Sequence, residues 1–231
     1  IDYFDYNPAS DKSLPVQYDW HTAIEGKAAN KAALQEKLGL QVNKDIPLFC
    51  VTSRITFQKG FSLIMGIMDW LLKQELQLII LGDGDAYYVD KLKDWQKQYP
   101  KRLIFLPYND NWQFEQLIYA GSDCLLLPSH HEPCGLNQLI AMRYGCVPIV
   151  RNVGGLNDTV TNYNPRTKRG TGFVFNSFSN ITLYTAIIRA IEDFYHDSSW
   201  NALVRRDMKQ ATSWKIPAQK YIRLYRRALR Y

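Results

Sequence analysis

Short apolar runs that alternate with helix-forming segments predict an α/β protein built on a doubly wound parallel sheet, covered by helices on both faces. The chain has 231 residues, of which 46% are hydrophobic, ample for the core of one large domain or two small ones. Gly39 and the Gly154-Gly155 pair stand where a helix and a strand must stop.

Residues 1–20 read as an extended, turn-rich lead-in, with Asn7-Pro8 and Asp11 as turn formers and Trp20 as its anchor. A helix over 25–38, rich in Ala, Lys and Leu, ends at Gly39. Leu48-Phe49-Cys50-Val51 is then a strand and 61–73 an amphipathic helix. The alternation continues with a strand over 76–81, a helix over 86–98, a strand over 102–106 and a helix over 112–120. Cys124-Leu125-Leu126-Leu127-Pro128 reads as a buried strand, followed by a helix over 135–144 and a strand over 146–150. After a turn at Gly154-Gly155 and a last strand over 172–175, the remainder is helical: 181–195, 200–210 and 217–230. In the last helix Tyr221, Leu224, Tyr225 and Ala228 share one face, while Lys220, Arg223, Arg227 and Arg230 form a solvated basic one.

No apolar run approaches the ~20 residues needed to span a bilayer, and Ile1-Asp2-Tyr3-Phe4-Asp5 lacks the basic and apolar blocks of a signal peptide. The expectation is a soluble chain with no membrane partner and no targeting segment. Its polar, Pro-containing start at Ile1 is expected of a piece cut from a longer protein. Cys50, Cys124, Cys134 and Cys146 form no CxxC pair, which argues against a redox motif and a zinc site. All but Cys134 lie in apolar runs and are expected to pack in the core of a protein from a reducing compartment. With 28 Lys and Arg against 22 Asp and Glu, the net charge of +6 suits a phosphorylated ligand, a nucleic acid or an anionic membrane. Apart from Arg223, Arg226, Arg227 and Arg230 the basic residues are spread along the chain. No RNA-binding signature or zinc-finger spacing accompanies them, so no nucleic-acid partner is expected.

In a doubly wound sheet, ligands bind beyond the carboxyl ends of the strands, so the loops there carry the function. The run His130-His131-Glu132-Pro133-Cys134-Gly135-Leu136 lies between a strand and a helix. A Gly-containing turn into a helix presents free backbone N–H groups to an anion, and a diphosphate fits there. Glu132, held back from that turn by Pro133, then accepts hydrogen bonds from sugar hydroxyls beyond the phosphates. Read alone, the motif fits an ordinary loop with a surface Glu equally well.

Ser53-Arg54-Ile55-Thr56-Phe57-Gln58-Lys59-Gly60 puts Arg54 and Lys59 just past the first strand, where two fixed cations stabilise a pyrophosphate leaving group without a metal. Gly82-Asp83-Gly84-Asp85 opens like a dinucleotide fingerprint, but Tyr87 occupies the third glycine position and weakens a dehydrogenase reading. It also spells a DxD; Arg54 and Lys59 already supply positive charge and no second ligand cluster appears, so no metal is expected. Gly82 and Gly84 are expected to let backbone approach a nucleoside, with Asp85 capping the next helix. Tyr108 is placed to stack on a nucleobase, although an aromatic at a strand end is more often packing. Val153-Gly154-Gly155-Leu156-Asn157-Asp158-Thr159-Val160 either closes the pocket beside the sugar or is a tight turn whose Asp158 and Thr159 support a helix.

Several linked motifs in order resemble the bacterial glycogen synthases and plant starch synthases, retaining glycosyltransferases of the GT-B type. The resemblance covers nearly the whole chain. It is carried by Ser53 to Thr56 with Gln58-Lys59-Gly60, by Leu81 to Asp85, and by Pro128 to Leu136 with Gln138. Ala141-Met142-Arg143-Tyr144-Gly145, Gly154 to Val160, Gly170-Thr171-Gly172-Phe173 and Ser213-Trp214 complete it. It implies the C-terminal, Rossmann-like donor-binding half of such an enzyme, with 1–20 as interdomain linker, 21–231 as the nucleotide-sugar-binding domain, and the last helix crossing back to an absent N-terminal half. By the same resemblance Arg54 and Lys59 hold the diphosphate, Glu132 the glucose hydroxyls, the backbone of Cys134, Gly135, Leu136 and Asn137 the distal phosphate, and Tyr108 the adenine.

The implied reaction transfers glucose from ADP-glucose, less often UDP-glucose, to the non-reducing end of an α-1,4-glucan with retention, using no cofactor. No carboxylate stands as an obvious nucleophile, so a short-lived ion pair is the favoured route, with Arg54 and Lys59 stabilising the leaving group. The absent half carries a lysine-glycine loop, a catalytic-site His and much of the acceptor groove, so this chain alone is expected to bind donor without elongating glucan. The implied location is the bacterial cytoplasm or the plastid stroma. A non-catalytic nucleotide-sugar or glucan-binding module is the alternative. Another GT-B hexosyltransferase is a weaker one, against which Glu132-Pro133-Cys134-Gly135-Leu136 argues.

Overall fold

The apolar runs become the strands of one sheet in the computed structural model, which describes residues 1–210 and 213–229. The strands are β1 (Leu48–Thr52), β2 (Gln77–Leu81), β3 (Leu103–Leu106), β4 (Cys124–Leu127), β5 (Val147–Arg151) and β6 (Phe173–Phe175). They lie in the order β3-β2-β1-β4-β5-β6 and every neighbouring pair is parallel. The chain therefore winds outward from β1 to β3, returns to place β4 beside β1, and winds outward again, as a doubly wound sheet does. Between β1 and β4 the ladder covers only Phe49↔Cys124 and Cys50↔Leu125, so Val51 and Thr52 lie beyond it at the switch point. Residues of β1, β2 and β4 are buried throughout, which is why these strands read as unbroken apolar runs.

The helices are α1 (Ala23–Lys37), α2 (Phe61–Leu71), α3 (Ala86–Gln98), α4 (Tyr108–Asn111), α5 (Glu115–Gly121), α6 (Asn137–Arg143), α7 (Gly154–Thr159), α8 (Asn180–Phe194), α9 (Asp197–Lys209) and α10 (Lys215–Ala228). In one layer α2 packs against α8, and in the other α1, α5, α6 and α9 pack together. None of the described helices is long and apolar enough to cross a membrane.

Beyond small shifts of element ends, three features depart from the sequence reading. The helix expected over 112–120 is broken into α4, a 3-10 turn (Trp112–Phe114) and α5. The Asn109-Asp110-Asn111 run competes with helix through local bonds, Asn111 donating its side-chain amide to the Pro107 carbonyl at 2.8 Å. The helix expected from 135 starts at Asn137, because Gly135 sits at φ 73° and a left-handed residue cannot belong to its first turn. Trp20 is only half-buried, and Tyr18 anchors the lead-in instead, 2% exposed and donating its hydroxyl to the Tyr144 carbonyl at 2.7 Å. Gly39 ends α1 in the left-handed conformation, as its position suggested. Cys50, Cys124 and Cys146 are buried and Cys134 is exposed. On α10 Tyr221, Leu224 and Tyr225 are exposed, and Arg230 lies outside the described residues.

One buried group works against the fold. Asp207 on α9 is 1% exposed, and neither carboxylate oxygen has a hydrogen-bond partner among the described residues. Burial pushes its carboxyl well above the usual range, outweighing the neighbouring Arg206 charge. A carboxyl whose folded-state pKa is raised holds its proton in the native state after the unfolded chain has released it, so stability falls as pH rises from the ordinary carboxylate range, near 3.8, through the folded value. Asp207→Asn should therefore stabilise the protein by more than about 1 kcal/mol at neutral pH, with the gain vanishing toward pH 4. Chemical denaturation of both proteins at pH 4 and pH 7 checks this; an equal or negative effect at the two pH values counts against it.

Candidate active site

Two adjoining hollows open at the carboxyl edge of the sheet, across the switch point between β1 and β4. The larger, of about 330 Å³, is lined by Thr52 at the end of β1 and Arg54 after it, Gly82 and Asp83 after β2, and Tyr108 and Glu115, which follow β3 in the chain. The smaller, of about 230 Å³, is lined by Lys59, Glu132, Gly135, Leu136 and Gln138. Asn137, first residue of α6, lines both.

Lys59 and Glu132 form an ion pair in the smaller hollow, Nζ to Oε2 at 2.6 Å, with side-chain exposures of 18% and 10%. Lys59 ends a 3-10 turn (Phe57–Lys59) that Gly60 closes at φ 80°. The loop after β4 is sewn to that turn, His130 N–H donating to the Gln58 carbonyl at 2.8 Å and the Gln58 amide to the His131 carbonyl at 3.3 Å. Ser129 Oγ donates to the same Glu132 oxygen at 3.1 Å, so the carboxylate is oriented from two sides. Arg54, expected beside Lys59, instead lines the larger hollow; it is exposed and has no side-chain partner among the described residues. The two cations thus occupy separate hollows, one free and one neutralised.

Cys134 and Leu136 are exposed on the turn leading into α6, with Gly135 between them in the left-handed conformation. Asn137 donates its side-chain amide to the Thr52 carbonyl, fixing the start of α6 to the end of β1. Gln138, which was not singled out as a site residue, is fully buried beneath the turn and donates to the Cys134 and Gly135 carbonyls at 3.2 and 3.0 Å. From behind, Gly155 N–H donates to the Glu132 and Pro133 carbonyls at 3.1 and 3.2 Å. A Cβ at Gly155 would collide with the Cys134 carbonyl, and one at Gly154 with the Glu132 carbonyl. Thr159 bonds both Gly155 and Gln138, at 2.6 and 3.1 Å. These bonds support the neighbouring 132–135 loop, a role neither reading of the glycine turn named, while Thr159 supports its own helix through Gly155. Asp158 takes no part, being exposed with no partner among the described residues.

A Cβ at Gly82 would strike the Ser53 carbonyl and one at Gly84 the Ile55 carbonyl, so both glycines admit the neighbouring loop of the protein itself, and Gly82 also lines the larger hollow. Asp85 stands at the N-cap position of α3 but its side chain makes no capping bond, a correction to its expected role. Asp83 accepts the Asn109 N–H at 3.1 Å and so positions the loop bearing Tyr108. Among the described residues no group of three or more His, Cys, Asp or Glu side chains is placed to hold a metal ion.

Tyr108, 42% exposed, offers its ring to the larger hollow and donates its hydroxyl to Glu115 Oε2 at 3.4 Å. Desolvation pushes the Glu115 carboxyl up, and the Glu115 charge in turn raises the Tyr108 phenol. Glu115 went unnoticed in the sequence because the segment reads as an ordinary helix with a Glu on it.

A family described as "Glycosyl transferases group 1" matches residues 32–212. The chain belongs to the group 1 glycosyl transferases. Among curated relatives, this glycosyl transferase chain is 46% identical over 219 residues to a glycogen synthase of Clostridium novyi, covering 95% of the chain and 45% of that protein. It is 40% identical over 235 residues to a glycogen synthase of Pseudothermotoga lettingae, covering 100% of the chain and 47% of that protein. Its structure superposes with a TM-score of 0.91 on the catalytic domain of starch synthase IV from Arabidopsis thaliana bound to ADP and acarbose. The two are 33% identical, over 100% of this chain and 48% of that one. The chain spans about half the length of the curated relatives it matches.

Because the Gly155 position leaves no room for a side chain, Gly155→Ala should push the 132–135 turn outward. The expected cost is about 1–3 kcal/mol of stability, the scale of overpacking. Thermal melting beside the wild type measures it. An unchanged melting temperature would show that the turn yields freely.

Proposed function

We propose that this chain is the donor-binding half of a retaining enzyme that transfers glucose from ADP-glucose to the non-reducing end of an α-1,4-glucan, in glycogen or starch synthesis. UDP-glucose is the alternative donor. The observation that carries the reading is the Lys59–Glu132 pair, 2.6 Å apart at the switch point. It sets a cation and a hydrogen-bond acceptor side by side, which matches a ligand whose anionic and hydroxyl-bearing parts adjoin, a glycosyl diphosphate. The larger hollow, next along the edge, then takes the nucleoside against Tyr108, with Arg54 on the diphosphate. ADP in the starch synthase IV structure and the glycogen synthase relatives support the donor class and the glucan acceptor.

In this reading the leaving diphosphate gains negative charge as the glucosyl bond breaks, and Arg54 and Lys59 stabilise it by position rather than by reorganisation. Glu132 accepts from the sugar hydroxyls and so is no nucleophile; retention then follows from attack on the face the leaving group vacates. The length of the relatives leaves room for an N-terminal half bearing the acceptor groove. The exposed Tyr221, Leu224 and Tyr225 face of α10 is available to meet it.

In the full-length enzyme, Arg54→Ala and Lys59→Ala should each lower kcat by roughly a hundredfold, the scale of losing one fixed transition-state partner. Steady-state kinetics beside melting curves decide the matter: wild-type kcat with only a shifted Tm makes the residue structural.

Glu132→Gln should lower transfer by roughly tenfold or more, the loss of a charge-assisted hydrogen bond, yet leave ADP affinity unchanged or tighter because the Lys59 ammonium is released. Calorimetry with ADP and ADP-glucose separates the cases. Equal weakening of both ligands removes Glu132 from the sugar site.

A further inference from the structure

Glu115 places a carboxylate in the larger hollow that no step of the proposed transfer uses. Its position follows from the strand order. Along the carboxyl edge the hollow runs from Tyr108 and Glu115 beyond β3, past Gly82 after β2, to Arg54 after β1 and Asn137 on α6. Lys59 and Glu132 lie beyond Asn137, in the smaller hollow. A nucleoside diphosphate sugar laid along this edge with its sugar at Glu132 and its phosphates at Arg54 ends with its base at Tyr108, whose hydroxyl is bonded to Glu115.

The Glu115 carboxylate is short of donors there. Among the described residues its one hydrogen bond is from the Tyr108 hydroxyl, at 3.4 Å and so near the limit of such a bond. Since that hydroxyl marks the rim of the stacking ring, the carboxylate lies at the perimeter of any base stacked on Tyr108. Desolvation already works against its charge, so a ligand that brings an N–H to it gains, and a ligand that brings a carbonyl oxygen meets repulsion.

We propose that Glu115 selects the nucleobase of the donor, accepting a hydrogen bond from the exocyclic amine of adenine and rejecting bases that present a carbonyl at that place. The inference rests on the donor-site reading above. A site built around one polar contact discriminates strongly against ligands that cannot make it, because the buried group is left unpaired.

The test is calorimetric titration of this chain with ADP, inosine diphosphate, UDP and 2′-deoxy-ADP, for the wild type, Glu115→Gln and Tyr108→Ala. Inosine diphosphate differs from ADP by a 6-carbonyl in place of the 6-amine, so the wild-type comparison needs no variant. The wild type should bind ADP about tenfold or more tighter than inosine diphosphate or UDP, the scale of one hydrogen bond to a charged group. In Glu115→Gln, whose amide can donate to a carbonyl as well as accept from an amine, the preference should collapse while 2′-deoxy-ADP keeps its rank relative to ADP. If no nucleotide binds, or Tyr108→Ala changes nothing, the donor-site reading itself falls. If nucleotides bind through Tyr108 but the ADP preference is the same with and without Glu115, base selection by Glu115 is wrong and the donor site stands. If Glu115→Gln weakens ADP and UDP alike and erases the cost of the missing 2′-hydroxyl, the carboxylate holds ribose and the proposal is overturned.

Discussion

The site depends on one constraint: the loop after β4 must lie against the loop after β1 while the strands themselves stop pairing. The Lys59–Glu132 pair is the polar part of that contact, and its two side chains are mostly buried. Removing one partner of such a pair strands the other without solvation, at a cost on the order of 3–5 kcal/mol. Backbone contacts complete the seam, with His130 bonded to Gln58 and the Arg151 guanidinium donating to the Ser129 carbonyl at 2.8 Å. Glu132 therefore reaches its place because four segments, from 53–60, 128–135, the end of β5 and 154–155, press on one another. A ligand entering there finds charge and acceptor already oriented, which lowers the cost of ordering them on binding.

The opposite ends of α5 and α6 are held as tightly. Lys27 on α1 is buried and donates its ammonium to the Ala120 and Ser122 carbonyls at 2.9 and 2.8 Å, and to those of Tyr119 and Tyr144 at 3.4 and 3.3 Å. These carbonyls belong to the last turns of α5 and α6, where the backbone leaves acceptors unpaired and favours a cation. Burial lowers the Lys27 pKa, and the four carbonyls are what keeps an ammonium tolerable there. Beside it Lys31 pairs with Asp123 at 2.6 Å, and Asp123 also accepts the Leu48 N–H at 2.8 Å, tying the starts of β1 and β4 together. Glu115 and Asn137 are the first residues of these same two helices. A clamp at the helix ends thus aims two residues of the hollows.

The strands were legible because a strand buried on both faces has no choice but to be apolar, as Cys124 to Leu127 shows. Arg54, Lys59 and Glu132 were legible as residues of the carboxyl edge, since any loop that follows a parallel strand emerges there. Their pairing was not. Lys59 and Glu132 are 73 residues apart, and only the return of β4 to the side of β1 brings them together, a fact of strand order that no local pattern encodes. The close approach of the 53–55 loop to the glycines after β2 was hidden for a related reason, because a residue that needs no side chain looks the same whether a ligand or the protein's own backbone fills the space. Asp85 misled by type, being a favoured capping residue at the capping position whose side chain makes no capping bond. Glu115 was invisible because its meaning comes from Tyr108, one helix turn and a break away, and the break itself was missed.

The charge arrangement also bears on how much of a donor site one half can be. Of the two cations on the proposed diphosphate path, Lys59 is neutralised by Glu132 and Arg54 stands free in exposed surroundings, where a charge contributes modestly. Binding a diphosphate must therefore draw the Lys59 ammonium partly away from Glu132, and that exchange is more favourable when the freed carboxylate gains something in return. Sugar hydroxyls supply it, whereas a bare nucleoside diphosphate does not. On the proposed reading the pair couples the two parts of the ligand: the phosphates release the carboxylate, the sugar reoccupies it, and a donor carrying both is favoured over either part alone.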